Sequence, residues 1–96
     1  MAYRFEWDED KAKSNWLKHG VSFEEATTVF DDPLARIFDH ELHSRDERRE
    51  IIIGRSINDR LVVICFTERS NERIRIINAR LHTPKERKAY EENIDI

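Results

Sequence analysis

The sequence contains very little cysteine, glycine or proline, and each shortage excludes a class of structure. Cys65 is the only cysteine among 96 residues, so neither an internal disulfide nor a cysteine-based zinc cluster can form. It lies in the apolar run LVVICF, which indicates a buried, inert thiol. Glycine and proline occur only twice each. Helices and strands should therefore fill most of the chain, with few tight turns and little disorder.

Long hydrophobic runs are also absent. No apolar stretch reaches the roughly 18–20 residues that a membrane helix needs. The first residues, MAYRFEWDEDK, lack the apolar centre of a signal peptide. We therefore expect a cytoplasmic protein with no membrane partner. The length suits one small domain, residues 1–96, with a single core.

Charge is abundant but unevenly distributed. Charged residues make up 39% of the chain, and the net charge of −3 argues mildly against a protein that coats nucleic acid. Residues 54–90, however, carry nine basic and four acidic groups, whereas residues 1–53 carry eight basic and thirteen acidic groups. The C-terminal half therefore has a basic field of its own, which could attract a polyanion.

The N-terminal third predicts a strand and two helices. Tyrosine, phenylalanine and tryptophan alternate with charged residues in YRFEWD, as in a short strand. Asp8 can cap a first helix, which Gly20 would close in a left-handed conformation. Ser22 and Glu25 fit a capping box, in which each side chain satisfies a free backbone N–H of a second helix. Pro33 should end that helix.

The rest of the chain predicts four strands and a last helix. LARIFDHE, REIIIGRS, RLVVICFT and ERIRIINARL are the candidate strands, and the polar segment 43–50 is predicted to be a loop. Short turns between these strands imply an antiparallel meander. Thr83 and Glu86 fit a second capping box at the start of TPKERKAYEENI. The predicted fold class is α+β: an antiparallel meander with two N-terminal helices and one C-terminal helix.

Few recognised site motifs are present. The chain has no glycine-rich phosphate loop and no serine or cysteine nucleophile motif. His40 and His43 are three residues apart, but a metal site there would need further ligands nearby. We therefore expect neither a metal nor a cofactor.

Arginines on the last predicted strand have two interpretations. Arg73 and Arg75 should share one face, whereas the period of two puts Arg80 on the other side or past the strand end. Arg69 lies in the preceding turn. These arginines could be surface charges paired with acidic neighbours, or they could bind phosphate. Carboxylates within salt-bridge reach of both Arg75 and Arg80 would make a catalytic role for these two doubtful.

Two further residue pairs are open to a structural or a functional interpretation. Lys18 and His19 suit a helix C-terminus, where cations are stabilised. They also offer a phosphate ligand and an imidazole that can transfer protons near neutral pH. Glu86 and Tyr90 share a helix face one turn apart. They could form a solvated face with an aromatic anchor, or take part in proton transfer or base stacking.

Several segments together resemble a known family. FEWDEDKAKSNWLKHGVSFEEATTVFDDP, ERREIIIGRS, RLVVICFTER and RIRIINARLHTPKERKAYE are similar to BrnT, the ribonuclease toxin of a bacterial type II toxin–antitoxin pair. The resemblance runs from about Phe5 to Tyr90, and KHGVSFEEA and the arginine-flanked segment RIINAR are its most specific parts. It departs from the usual pattern at Asn78, where the family has serine, and at Leu81-His82, where it has a basic and then a small residue.

The resemblance implies a RelE-like fold and an endoribonuclease that cuts RNA without a metal and arrests translation. It also implies a cognate DNA-binding antitoxin, which forms a 2:2 complex with the toxin and carries it to operator DNA. The RNA 2′-hydroxyl would attack the adjacent phosphate. Residue chemistry and motif position then suggest catalytic roles for His19, Arg75, Arg80, Glu86 and Tyr90. RNA-binding roles are suggested for Lys18, Arg69, Arg73 and His82.

Two other functions remain open at this point. The chain could be a non-catalytic, toxin-like module that acts only through antitoxin binding and operon control. It could also be a structural domain whose arginines are ordinary surface charges. An enzyme predicts that Lys18, His19 and the C-terminal arginines converge on one concave face. A binding module predicts scattered or self-paired basic residues, and a structural domain predicts no contiguous basic patch.

Overall fold

The computed structural model describes residues 3–39 and 48–95, in which three helices pack against a five-stranded sheet. His40, His43 and most of the predicted loop 43–50 lie outside the described residues. In chain order the elements are β1 (Arg4–Glu6), α1 (Glu9–His19), α2 (Phe23–Val29), β2 (Arg36–Asp39), β3 (Glu50–Arg55), β4 (Leu61–Arg69), β5 (Arg73–Leu81) and α3 (Pro84–Glu92). The predicted α+β class and element order are confirmed.

The sheet has the strand order β1-β5-β4-β3-β2. Strands β2 to β5 form the predicted antiparallel meander. Strand β1 instead pairs in parallel with β5, with Arg4 opposite Arg73 and Glu6 opposite Arg75. The sheet is therefore mixed, because β1, for which no partner was predicted, adds a parallel edge strand to the predicted meander. No turn signal could reveal this pairing, because more than 60 positions separate the paired residues.

The helices cover both faces of the sheet. The larger core, on the face of α1 and α2, includes Phe23, Ile64 and Ile76, each at most 1% exposed. A smaller core on the opposite face contains Ile53, Leu61 and Val63, and Tyr90 of α3 packs against it. Strand β4 contributes to both cores and is buried from Leu61 to Thr67, which matches its run of apolar residues on both faces.

A β-bulge in β5 changes which side chains share a face. Cys65 lies opposite Asn78, but the next residue, Phe66, lies opposite Ile76, so Ile77 is an extra residue. The insertion reverses the alternation beyond it. Arg80 therefore lies opposite Val63, on the α3 side of the sheet. The prediction that Arg80 points away from the face of Arg73 and Arg75 was wrong, because it assumed an unbroken period of two.

The helix ends agree with the sequence signals at most positions. Gly20 closes α1 with φ of 66°, and its N–H donates to the carbonyl of Trp16. Thr83 and Glu86 form the complete capping box of α3. At α2 only half of the predicted box exists. Ser22 accepts from the N–H of Glu25 at 2.9 Å, but the Glu25 carboxylate instead binds Arg60 and Ser56, since a buried charge needs a strong partner.

Candidate functional site: a basic groove between α1 and β5

A groove of about 280 Å³ lies between α1 and the second half of β5. Strand β1 pairs only with Arg73–Arg75, so helix α1 rather than a strand lies along the rest of this edge. The side chains that line the groove include two lysines, one arginine and one histidine, and no carboxylate. The lining residues are Lys11, Ser14, Asn15, Lys18, His19, Ile77, Asn78 and Arg80.

The Asn15 side chain joins α1 to β5. Its amide forms hydrogen bonds with the backbone of β5 of the kind that a neighbouring strand would form. Its side chain is 6% exposed and pairs with both backbone groups of Ala79. Nδ2 donates to the Ala79 carbonyl at 2.8 Å, and the Ala79 N–H donates to Oδ1 at 3.0 Å. Nδ2 also donates to the Val21 carbonyl at 3.0 Å. One amide therefore fixes α1, the loop that follows it and β5 relative to one another.

Lys18 and His19 occupy the last turn of α1, at one side of the groove. Within residues 3–39 and 48–95, neither side chain has a hydrogen-bond or ion-pair partner, so both can bind a ligand. Their position is fixed from outside the helix, because Arg60 donates to the Gly20 carbonyl at 3.0 Å. Glu25, whose pKa the hydrogen bond from Arg60 holds below its ordinary value, anchors Arg60 in turn.

Arg80 is held by a bidentate ion pair with Glu86. Both guanidinium–carboxylate distances are 2.8 Å, and Nη1 also donates to the Leu81 carbonyl at 3.2 Å. Burial disfavours ionisation of Glu86, but the hydrogen bonds from Arg80 and Thr83 outweigh burial and keep the pKa of Glu86 lowered. The same pair raises the pKa of Arg80. Glu86 thus orients Arg80 and caps α3 at once.

Arg69, Arg73 and Arg75 converge on a different group, the Glu6 carboxylate of β1. The distances are 3.0 Å from Arg75, 3.3 Å from Arg73 and 3.7 Å from Arg69. None of the three lines the groove. Both Arg75 and Arg80 are therefore paired with carboxylates, the arrangement that weakens a catalytic role for an arginine.

Two other predicted site residues lie away from the groove lining. The Tyr90 hydroxyl donates to Asp32 at 2.7 Å, and burial together with this bond raises the pKa of Tyr90 to about 12. A tyrosine so held is a poor proton donor at neutral pH. His82 uses Nδ1 to contact the Leu61 carbonyl at 3.2 Å. Glu86 and Tyr90 do share one helix face, but they contact different partners.

Sequence reasoning missed one residue of the arginine cluster, Glu6, and five residues of the groove: Lys11, Ser14, Asn15, Ile77 and Asn78. Lys11, Ser14 and Lys18 are spaced by three and four, so they form one helical stripe that the sequence could have revealed. Asn15 and Asn78 gave no such signal, because their roles depend on the helix meeting the bulged strand. Glu6 was taken only as part of an alternating strand, since nothing local predicts its parallel pairing with β5.

A second concavity has a different character. It measures about 320 Å³, and its charged lining residues are Asp31, Asp32 and Arg55, so carboxylates outnumber cations there. Among the described residues no group of three or more His, Cys, Asp or Glu side chains could hold a metal ion. In the same part of the chain, no helix has the length and apolar character needed to cross a bilayer.

The fold and groove together define a class: a small α+β protein with a cationic groove, containing a histidine, that suits phosphate-bearing ligands. Residues 7–86 match the family described as "Ribonuclease toxin, BrnT, of type II toxin-antitoxin system". The chain belongs to this BrnT family of ribonuclease toxins, which implies a protein antitoxin as partner.

One solved structure supports the fold independently. The 1.1 Å crystal structure of the Brucella abortus ribonuclease toxin BrnT is similar to this chain with a TM-score of 0.65 and 23% sequence identity. The match covers 85% of this chain and 99% of that one. A search of curated proteins found no match.

Proposed function

We propose that this protein is itself a toxin endoribonuclease that cuts RNA without a metal, arrests translation and acts in the cytoplasm. Its activity is neutralised by a cognate antitoxin in a 2:2 complex, and it reaches operator DNA only through that antitoxin. The observation that carries the proposal is the groove, where Lys18, His19 and Arg80 meet beside a wall without carboxylates.

Cleavage by this route requires two proton transfers and the stabilisation of one additional negative charge on the phosphate. A base removes the proton of the 2′-hydroxyl, whose oxygen attacks the adjacent phosphorus, and an acid protonates the departing 5′-oxygen. The products are a 2′,3′-cyclic phosphate and a 5′-hydroxyl. His19 is the one imidazole in the groove lining and transfers protons. Lys11 and Lys18 bind the phosphate oxygens, which gain negative charge in the transition state.

Arg80 contributes although Glu86 holds it. A guanidinium has five N–H donors, and the contacts to Glu86 and Leu81 use three of them. The Nε–H and one N–H of Nη2 are left, and they lie side by side as a second fork that suits two phosphate oxygens. Glu86 is thus a positioning residue for Arg80. Arg75 and Tyr90 are left out of the reaction, because Glu6 and Asp32 hold them away from the groove lining.

The test is cleavage of a long RNA by purified protein in the presence of EDTA. Wild type should cut, and His19→Ala, Lys18→Ala and Arg80→Ala should each lose at least roughly tenfold in rate. Lys13→Ala is the matched control for Lys18→Ala, because Lys13 lies on the same helix but outside the groove lining. Equal cutting by wild type and all three groove variants would contradict the assignment and indicate a contaminating nuclease.

The pairing of Arg75 and Arg80 with carboxylates favours one alternative, a binding module without catalysis. Such a module would bind its antitoxin but leave RNA intact under every condition, including on translating ribosomes. Expression of wild type without antitoxin separates the two: growth arrest that depends on His19 supports the enzyme, and normal growth supports the module. The mass of the co-purified complex, measured by light scattering, tests the 2:2 stoichiometry.

A further inference from the structure

The cluster formed by Glu6, Arg73 and Arg75 contains two positive charges and one negative charge. Among the described residues, Glu6 is the acidic partner that Arg73 and Arg75 share. All of these side chains are partly open to solvent: Glu6 is 31% exposed, Arg75 35% and Arg73 43%. A carboxylate carries one charge, so the cluster keeps a net positive charge that an external anion can reach.

Most of the donors in this cluster are uncommitted. Arg75 uses Nη1 for Glu6, whereas Arg73 uses Nη1 for Glu6 and Nε for a long contact of 3.5 Å to the Ser70 carbonyl. Each guanidinium has five N–H donors, so each retains at least three. An exposed pair of this kind is also weak, because water screens it. A phosphate can therefore join Glu6 or displace it at little cost.

The cluster and the groove lie along the same strand, β5. The bulge at Ile77 brings Arg80 to the same face of β5 as Arg73 and Arg75. Arg80 follows Arg75 by five positions along the strand, a distance of roughly 16 Å. Arg80 also lines the groove, so one row of arginines leads from the groove to the cluster. A single-stranded RNA of several nucleotides can contact both.

We propose that Arg73 and Arg75 hold the backbone of an RNA strand that extends beyond the groove, and that Glu6 is a resident anion that competes with RNA phosphate there. The inference rests on the proposed function, since it assumes that RNA occupies the groove. It predicts that long RNA binds more tightly than short RNA, and that removing the charge of Glu6 strengthens the binding of long RNA only. An acidic protein segment is the competing occupant.

Binding of 2′-O-methyl RNA tests this without cleavage, because the attacking hydroxyl is blocked. Fluorescence anisotropy would compare a trinucleotide with a dodecanucleotide at several salt concentrations. Arg73→Gln/Arg75→Gln should lose roughly tenfold in affinity for the long RNA and leave the short one unchanged. Its salt slope should fall by about 1.4, since each phosphate contact to a single strand contributes about 0.7. Glu6→Gln should bind the long RNA roughly two- to fivefold more tightly.

Matched controls come from the exposed pair of Arg87 and Glu91 on α3. Arg87→Gln removes one arginine charge and Glu91→Gln removes one carboxylate charge, both outside the cluster, and each should have little effect on RNA binding. The inference is overturned if the double variant binds long RNA like Arg87→Gln, or if it loses only antitoxin binding. The proposed function fails separately, if Lys18→Ala binds both RNAs like Lys13→Ala.

Discussion

Replacing Asn15 with alanine should destabilise the protein more than any other substitution of an uncharged polar residue in α1. The change removes all three hydrogen bonds of the side chain, to Ala79 N–H, Ala79 C=O and Val21 C=O. Because Asn15 is only 6% exposed, these backbone groups lie in a site that water enters poorly. In the variant, these backbone groups would stay buried without a hydrogen-bond partner, since water cannot easily replace the amide. The loss in free energy of unfolding is therefore close to the full cost of unpaired buried groups.

The magnitude follows from these three groups. At about 1 kcal/mol each, their loss amounts to about 3 kcal/mol, and groups that water cannot reach would add to this. Alanine has a higher helix propensity than asparagine, which offsets about 0.5 kcal/mol of this loss in the free energy of unfolding. The expected net loss is about 2.5 kcal/mol, a large part of the roughly 5–15 kcal/mol that stabilises a small domain. The melting temperature should fall by about 10–20 °C.

Urea denaturation followed by circular dichroism measures this loss. Asn15→Asp keeps the acceptor for the Ala79 N–H but not the two donor contacts, so it should also be destabilised. Lys13→Ala controls for the gain in helix propensity, since Lys13 is exposed. A loss below about 1 kcal/mol for Asn15→Ala would refute the view that this amide substitutes for a strand partner of β5.

Three further predictions concern the charged and crowded parts of the fold. Glu25→Gln should cost about 2 kcal/mol in urea denaturation at pH 7, because it leaves Arg60 half-buried without its charge partner. The folded pKa of Glu25 is lowered, so this contribution is fully present above its unfolded value of 4.5 and is lost as pH falls through the folded pKa; the difference in stability between the variant and wild type should therefore shrink as pH falls below 4.5. Tyr90→Phe should cost about 1.5 kcal/mol at pH 7. Since the folded pKa of Tyr90 is about 12 against an ordinary value of 10.0, the stability advantage of wild type over the variant should be lost as pH rises from 10 to 12. Gly54→Ala should cost about 1–3 kcal/mol in thermal denaturation, because its Cβ would come within 3.1 Å of three side-chain atoms; an unchanged melting temperature would contradict this.

Local signals in the sequence were enough to predict most elements of the fold. Helix caps at Asp8 and Thr83, the left-handed Gly20 and the alternation of apolar residues depend on neighbours a few positions away. For this reason the α+β class, the element order and the meander of β2 to β5 agree with the structure. The family could also be recognised from local motifs, because each motif consists of residues that are consecutive in the sequence.

Local sequence signals could not predict contacts between residues that lie far apart in the sequence. The parallel partner of β1 and the role of Asn15 each join residues more than 60 positions apart. The carboxylate of Glu25 showed the same limit: the local pattern predicted a capping box, but burial beside Arg60 offered a stronger partner. No short window of sequence contains both members of these pairs.

The sequence by itself determined the family, the fold class and the chemical types available: lysine, histidine and arginine at one helix end and along the last strand. The tertiary structure decided which of them meet. One extra residue, Ile77, turns Arg80 to the face of Arg73 and Arg75, and one amide, Asn15, brings Lys18 and His19 beside it. The physical reason is that side-chain direction in a strand alternates strictly, so a single insertion reassigns every residue that follows, and only the completed sheet reveals where the insertion lies.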